Sequence, residues 1–139
     1  MSVTKFESEV KLISASIERV YAKLSDLSNV ESVKDRIPTD KVKDLHFDSD
    51  SLSFSVSPVG TIKLRIVERE ELKTIKFETE KSPVPFNLWI QLLPGMQAEQ
   101  TRLKLTIGAT LNPFTKGMVS KPLTDGVHKL AEVLANIPY

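Results

Sequence analysis

The chain has 139 residues, enough for one ordinary domain that buries a core without metals or cross-links. Its 19 basic and 18 acidic side chains leave a formal net charge of +1, which gives no electrostatic footprint for a nucleic-acid partner. Cysteine is absent, so disulfides and thiolate metal sites are excluded. We therefore expect one soluble cytoplasmic domain over residues 1–139, without a signal peptide or a membrane-spanning segment.

The first predicted element is a strand in which polar and apolar residues alternate. Its apolar residues share one parity: Phe6, Val10 and Leu12. A period of two is typical of a strand with one buried face, so these three side chains are expected on that face.

Two short helices are predicted next. From Ile17 onwards the apolar residues follow helical spacing. Two serines are available as the N-cap of this helix: Ser14 and Ser16. A second helix is predicted from Ser28 or Asn29, and Pro38 ends it because the residue before a proline is pushed out of helical geometry.

The middle of the chain predicts an antiparallel meander, with turns at residues 48–51, 57–60 and 70–71. These turns set the following pairs opposite each other on one apolar face: Leu45 with Phe54, Phe47 with Leu52, Val56 with Ile62, Phe54 with Leu64, Leu52 with Ile66, Leu64 with Phe77, and Ile66 with Ile75. The other face is expected to carry charges and to set Lys63 opposite Glu78. The outward charges are Lys63, Arg65, Arg69, Lys76, Glu78 and Glu80.

Two further strands extend the same apolar face. The predicted pairs are Leu92 with Leu103, Ile90 with Leu105, and Leu88 with Ile107. Trp89 falls on the outward parity opposite Thr106, where it either anchors a partner or is covered by a neighbouring segment. About seven strands result, and a sheet with one apolar side must cover it.

The segment after Asn112 is the candidate cover, with Asn112 as N-cap and Pro113 in the first turn. Its apolar residues form a helical stripe: Phe114, Met118, Leu123, Val127, Leu130, Ala131, Leu134 and Ile137. Gly117, Pro122 and Gly126 weaken this helix. Two interpretations stay open: a movable gate in the first half of the helix, or a fixed kink that bends it around the sheet.

The predicted fold is therefore α+β. It is a helix-grip arrangement in which a curved antiparallel sheet of about seven strands has two short helices after its first strand and a long C-terminal helix packed across it. This order resembles the START, polyketide-cyclase and birch-pollen-allergen superfamily, often called SRPBCC. The local segments that carry the resemblance are residues 15–26 (ASIERVYAKLSD), Thr101-Arg102-Leu103 followed by Asn112-Pro113, and residues 127–134 (VHKLAEVL).

Members of this superfamily generally hold lipids, sterols, quinones, polyketides or plant hormones between the sheet and the closing helix, and some catalyse cyclisation or hydrolysis there. The resemblance thus implies a cavity. Where plant members have a glycine-rich loop, this chain has Asp48-Ser49-Asp50-Ser51, which argues against a plant-type ligand. Its length also leaves no room for the extra strands and lids of larger relatives, which argues against a bulky sterol or two-chain lipid.

The candidate ligand-cavity residues are the inward-facing Phe54, Phe77, Leu88, Ile90, Leu105 and Met118. None of the six is ionisable, so the expected function is binding, sequestration or transport of a hydrophobic small molecule such as a lipid, quinone or polyketide-like compound. The simpler interpretation is that these side chains pack against each other as an ordinary core.

No catalytic residue, metal ligand or cofactor is predicted. His46 lies on an outward parity and His128 at the edge of the helical stripe, and neither belongs to a Ser-His-Asp or His-x-x-x-His arrangement. An enzyme of the cyclase or hydrolase type remains the main alternative. It would take its acid or base from the rim: Tyr21, Asp26, Asp35 or Glu99. A protein-interaction module of the chaperone-activator type is the third possibility, and the oligomeric state is not predicted.

Overall fold

The structure is a computed structural model, and it describes residues 3–32, 34, 42–56, 60–82, 84–137 and 139. The described elements are β1 (Val3–Glu7), β2 (Lys11–Ile13), α1 (Ile17–Leu24), a 3₁₀ helix (Leu27–Ser32), β3 (Val42–Phe47), β4 (Ser51–Val56), β5 (Gly60–Glu70), β6 (Thr74–Lys81), β7 (Phe86–Pro94), β8 (Thr101–Thr110) and α2 (Pro113–Asn136).

The strands form one antiparallel sheet in the order β1-β8-β7-β6-β5-β4-β3, and β2 also pairs with β8. The long helix α2 packs mainly against β8, β1 and β2, at one margin of the sheet. We call the side of the sheet that carries the buried core the inner face and the opposite side the outer face. The predicted helix-grip architecture is confirmed, with eight strands because the first predicted strand is divided into β1 and β2.

The division lies at Ser8, because β1 and β2 pair with β8 in registers that differ by one residue. Side chains alternate along a strand, so a shift of one residue moves the following ones to the other face. Phe6 in β1 and Ile13 in β2 are both buried although their parities differ. Val10 and Leu12, predicted on the buried face, are 58% and 60% exposed, and that prediction is wrong.

Between β3 and β4 the predicted pairing of Phe47 with Leu52 is confirmed. Leu45, predicted opposite Phe54, instead lies in an irregular stretch of β3 between Lys43 and His46, where the register shifts by one residue. Asp44 in this stretch has φ 55°, a left-handed conformation that Asp tolerates better than most residues.

Between β4 and β5 the predicted pairs are wrong by two positions. The observed pairs are Leu52 with Leu64, Phe54 with Ile62, and Val56 with Gly60. Gly60, predicted as part of the turn, already belongs to β5, where its φ of 106° is a conformation that glycine adopts without strain. Because the displacement is an even number of residues, the apolar residues keep their face.

Between β5 and β6 the predicted pairs are displaced by two positions in the other direction. Ile66 lies opposite Phe77, and Arg65 rather than Lys63 lies opposite Glu78. The reason is a later turn, at residues 71–73, in which Leu72 has φ 60°.

A bulge at Val67 changes the parity near the end of β5. Beyond it, Arg69 lies opposite Ile75, which is completely buried on the inner face. Directly paired residues point to the same side of a sheet. The prediction that Arg69 faces outward is therefore wrong, because an extra residue in the strand moved it to the inner side.

The registers of the last two strands are confirmed. Leu92 lies opposite Leu103, Ile90 opposite Leu105, Leu88 opposite Ile107, and Trp89 opposite Thr106. These two strands are long and regular, so the alternation of side chains alone determines which residues meet.

The helix starts also agree with the sequence. Ser16 caps α1 by accepting a hydrogen bond from the N–H of Arg19, and Asn112 caps α2 through the N–H of Thr115 at 2.8 Å. The second short helix is a 3₁₀ helix that begins at Leu27, one residue before the predicted start. Its predicted end at Pro38 lies outside the described residues.

The fully buried residues of α2 lie only in its second half, whereas Val119 in the first half is partly buried against the core. Leu123, Val127 and Ala131 are its buried residues, and all of them follow Pro122. Phe114, predicted in the same stripe, precedes Leu123 by nine residues, about two and a half turns, and so lies on the opposite face of the helix. The predicted stripe therefore describes the second half of α2 and not the first.

Candidate functional site

The candidate site is the inner face of the sheet beside α2. Four of the six predicted cavity residues lie buried there: Phe77, Leu88, Ile90 and Leu105. Phe77 is paired with Leu88, and Ile90 is flanked by Ile75 on one side and by Leu105 on the other. The sequence therefore identified one continuous surface that runs across three adjacent strands.

The other two predicted residues lie apart from this surface. Phe54 is half-buried on the inner face of β4, near the margin of the sheet opposite to α2. Met118 is 63% exposed and is not brought to the interior. It precedes Leu123 by five residues, which turns its side chain away from the sheet.

The inner face is largely apolar between its two margins, and it includes the hydroxyls of Thr79, paired with Leu64, and of the buried Thr101. The buried apolar residues of β5 to β8 on this face are Ile62, Leu64, Ile66, Ile75, Phe77, Phe86, Leu88, Ile90, Leu92, Leu103, Leu105, Ile107 and Ala109. Leu52 and Phe54 of β4 pack against this core but are only partly buried. The margin at β4 is thus the least covered part of the apolar surface.

Two cations lie at the ends of this face. The alternation of polar and apolar residues in the sequence did not place either of them on it. Lys11 is opposite the buried Leu103, on the inner side, with Glu9 Oε2 at 3.7 Å from its Nζ. Arg69 occupies the other end. Each cation follows an irregularity that reverses the alternation, and a sequence pattern alone does not reveal where such an irregularity falls.

Arg69 links the helical segment, which consists of α1 and the following 3₁₀ helix, to the turn between β3 and β4. Its Nε donates to the carbonyl oxygen of Ser25 at 2.9 Å, and its Nη2 lies 2.7 Å from Asp50 Oδ1. The N–H of Leu27 also donates to the carbonyl oxygen of Ser49 at 3.0 Å. These contacts hold the helical segment over one end of the inner face, so Arg69 has a structural role there.

Two grooves among the described residues lie away from the predicted cavity. One, of about 380 Å³, lies between the end of α2 and the residues that lead into α1, and it is lined by Leu12, Ile13, Ser14, Ala15, Arg19, Ala135, Asn136, Ile137 and Tyr139. A smaller one of about 160 Å³ lies on the outside of α2. Both polar and apolar side chains line the larger groove. At the centre of the inner face, side chains such as Ile75 and Leu105 are completely buried by their neighbours.

Tyr139 lines the larger groove and is hydrogen-bonded to both helices beside it. Its hydroxyl donates to the carbonyl oxygen of Leu134, and its own carbonyl oxygen accepts from Arg19. Burial raises the pKa of the phenol above its usual value, so the hydroxyl stays protonated and keeps its role as a donor at physiological pH. These two hydrogen bonds link Tyr139 to α2 and to α1.

The three described rim residues that were proposed as an acid or base each have partners of their own. Asp26 accepts two hydrogen bonds from Ser28, which lower its pKa, and Glu99 lies 4.0 Å from Arg19. Tyr21 packs partly buried against the core. Asp35 lies outside the described residues.

Both histidines, His46 and His128, are exposed. Within the described ranges, no three metal-ligating side chains come close enough together to hold an ion.

Trp89 lies half-buried on the outer face as predicted. The ammonium of Lys76 is 5.6 Å from its ring centroid, a cation–π distance. A Cβ added to Gly108 would lie 3.0 Å from Trp89 Cζ3, so the missing side chain of Gly108 makes room for the ring. Trp89 is thus packed by its own sheet neighbours.

None of the described helices is long and apolar enough to cross a lipid bilayer. Neither models of known protein families nor curated protein sequences match the chain. Solved structures do match it, across nearly its whole length.

Norcoclaurine synthase from Thalictrum flavum, in complex with dopamine and hydroxybenzaldehyde, superposes with a TM-score of 0.73 at 14% identity, covering 96% of this chain and 85% of the other. A START superfamily protein from Mycobacterium smegmatis superposes with a TM-score of 0.63 at 13% sequence identity, covering 96% of this chain and 94% of the other. A protein from Thermobifida fusca superposes with a TM-score of 0.64 at 15% sequence identity, covering 94% of this chain and 90% of the other. The chain therefore has the START-type helix-grip fold, and similarity at this level of identity establishes the fold alone.

Proposed function

We propose that this protein binds a hydrophobic small molecule between the inner face of its sheet and α2, and that it sequesters or transports this molecule in the cytoplasm. The observation that carries the proposal is the inner face itself. Its buried residues from β5 to β7 are all apolar, its polar groups Thr79 and Thr101 are uncharged, and Lys11 and Arg69 lie at its two ends. Burial of apolar surface would supply the main driving force.

The shape of the cover also supports binding. α2 packs mainly against the margin formed by β1, β2 and β8, while Leu52 and Phe54 on β4 remain partly exposed. An apolar ligand that enters at the β4 margin would complete the burial of these two side chains. The proposed ligand contacts are Phe54, Phe77, Leu88, Ile90 and Leu105. Met118 is not among them, because its side chain faces solvent.

A similar fold is known to hold small aromatic compounds. The norcoclaurine synthase structure contains dopamine and hydroxybenzaldehyde. By analogy of fold, the proposed ligand class is a compact apolar molecule such as a quinone, a polyketide-like compound or a single-chain lipid. The central residues of the inner face, such as Ile75 and Leu105, are completely buried by their neighbours, so binding against them requires side chains to move apart.

Catalysis is the weaker alternative. A cyclase or hydrolase needs an ionisable group that points at the bound substrate. The described residues at the centre of the inner face are apolar, and the cations at its ends are engaged with Glu9 or with Ser25 and Asp50. No observation favours a particular reaction.

A matched pair of charge variants tests the proposal. Phe54 faces inward and its neighbour Ser53 faces outward, opposite Lys63, so Phe54→Asp and Ser53→Asp add the same charge to opposite faces of one strand. Binding of Nile red, a neutral apolar dye, is measured by fluorescence titration. We expect Phe54→Asp to weaken binding at least tenfold, because a carboxylate would be desolvated beside the ligand, and Ser53→Asp to leave it unchanged.

Circular dichroism and the urea midpoint of each variant check that the fold is retained. The proposal is contradicted if the wild-type protein does not bind the dye, or if both variants bind it as the wild type does.

A further inference from the structure

The first half of α2, residues 113–122, exposes two large apolar side chains. Phe114 is 78% exposed and Met118 is 63% exposed. They are four residues apart on the helix, and residues with this spacing lie side by side on one face. That face is opposite to the one that carries Leu123 and Val127 into the core. The pair is thus directed at solvent.

One lysine lies beside this pair, because Lys121 follows Phe114 by seven residues and Met118 by three and so shares their side of the helix. Lys116 lies on the opposite side, and no acidic residue lies near the pair in the sequence. Residues 113–122 contain Lys116 and Lys121 and neither Asp nor Glu. Among the described residues, neither ammonium group forms an ion pair. Acidic residues of α2 appear only beyond Pro122, at Asp125 and Glu132. The first half of α2 therefore combines an exposed apolar pair with a charge of +2.

We propose that the first half of α2 docks on the surface of an anionic lipid membrane. Phe114 and Met118 would enter the boundary between headgroups and acyl chains, and Lys121 on the same side of the helix would contact anionic headgroups. Lys116 on the opposite side would add only longer-range attraction. A helix that combines exposed apolar side chains with neighbouring lysines binds such surfaces by burial together with electrostatic attraction. The second half of α2 stays packed on the sheet through Val127 and Ala131, so docking requires no unfolding.

The size of the patch favours a lipid surface over a protein partner. A stable protein interface buries roughly 800 Å² on each partner around a well-packed apolar centre. Two side chains with one lysine beside them do not supply such a centre, whereas a lipid surface accepts isolated apolar side chains and pairs with cations over a broad area. The docking proposal does not depend on whether the interior holds a ligand.

Flotation of the full chain with lipid vesicles tests the proposal. The vesicles contain phosphatidylcholine alone or phosphatidylcholine with phosphatidylserine. We expect the protein to float with the second kind and to remain largely unbound with the first. The double variant Phe114→Ser/Met118→Ser should lose at least roughly tenfold in partitioning, since most of its buried apolar area is removed. Lys121→Gln should lose about fivefold on anionic vesicles only, and Lys116→Gln, on the opposite side of the helix, should lose less.

A matched control uses exposed apolar residues elsewhere. Leu93 and Met96 are 55% and 96% exposed and lie outside α2, so Leu93→Ser/Met96→Ser should float as the wild type does. All four residues are exposed, so folding is not at risk. The proposal is overturned if the wild type binds neither kind of vesicle, if the control loses binding equally, or if sedimentation reveals a dimer that depends on Phe114 and Met118. Nile red binding, measured in parallel, reports on the interior separately.

Discussion

The main-chain N–H of Leu105 donates a hydrogen bond to Ser8 Oγ at 2.9 Å, and the N–H of Ser8 donates in return to the carbonyl oxygen of Leu105, also at 2.9 Å. Both residues are buried. The serine side chain replaces a main-chain acceptor at the point where β1 gives way to β2. It thereby makes possible the change of register that brings Phe6 and Ile13 to the same face.

Substitution of Ser8 tests this account of the break. Ser8→Ala leaves the buried N–H of Leu105 without its acceptor, and we expect a loss of about 1–3 kcal/mol in the free energy of unfolding. Urea denaturation measures it. Ser14→Ala is the control, because Ser14 is exposed, and it should change stability by less than about 0.5 kcal/mol. Equal stability of the two variants would mean that the Ser8 hydroxyl is not needed at the break.

The glycines of α2 provide a second prediction. A Cβ added at Gly126 would meet nothing within 4 Å, so Gly126→Ala should raise the free energy of unfolding by about 0.5–1 kcal/mol through helix propensity. Gly108→Ala is the contrasting variant. Its Cβ would lie 3.0 Å from the Trp89 ring, and it should not stabilise the protein. Thermal unfolding of both variants gives the comparison, and stabilisation by both would contradict the packing of Trp89 on Gly108.

Amide exchange across Pro122 distinguishes a gate from a fixed kink. The helix is continuous through Pro122, but its buried residues all follow it. We therefore expect the amides of Val119 and Lys121 to exchange at least about tenfold faster than those of Val127 and Ala131. Hydrogen exchange followed by NMR measures this directly. Equal protection on both sides would mean that the first half of α2 does not open separately.

The carboxylate of Asp48 predicts part of the pH dependence of stability. It accepts hydrogen bonds from the N–H groups of Asp50 and Ser51 and from the Ser51 hydroxyl, and these bonds lower its pKa from the ordinary value of 3.8. A depressed folded-state pKa stabilises the protein above the unfolded-state value, and this contribution is lost as the pH falls through the folded-state value.

The urea midpoint should therefore fall between about pH 5 and pH 3, and by less in Asp48→Asn, whose side chain does not titrate. Glu68→Gln is the control, since Glu68 is exposed at the outer end of β5, and it should follow the wild type. If Asp48→Asn shows the same pH dependence as the wild type, the Asp48 turn does not contribute to it.

Much of the fold could be predicted because alternation and helical spacing are local properties. The registers of β7 and β8 and the caps at Ser16 and Asn112 follow from such local patterns. The positions of Lys11 and Arg69 could not be predicted in this way. Each depends on one extra residue in a strand, and the reason for that residue lies in tertiary contacts such as the pairing of Ser8 with Leu105.

The candidate site could be predicted only in part for a similar reason. Phe77 and Leu105 were identified from strand parity, which is robust to a register shift of two residues. Met118 was assigned to the cavity because helical spacing placed it in one stripe with residues that follow Pro122, such as Leu123 and Val127. In the structure its side chain is exposed. The stripe is continuous in the sequence, but Phe114 and Met118 in its first half are exposed, and its fully buried residues all follow Pro122.

Native mass spectrometry of the protein purified from cells tests the central claim most directly. We expect the wild type and Ser53→Asp to carry a non-covalent small molecule that is released under denaturing conditions and extracts into organic solvent. Phe54→Asp should carry it at much lower occupancy. Protein that is empty in repeated preparations, or a molecule that Phe54→Asp retains as well as the wild type does, would contradict binding at the inner face.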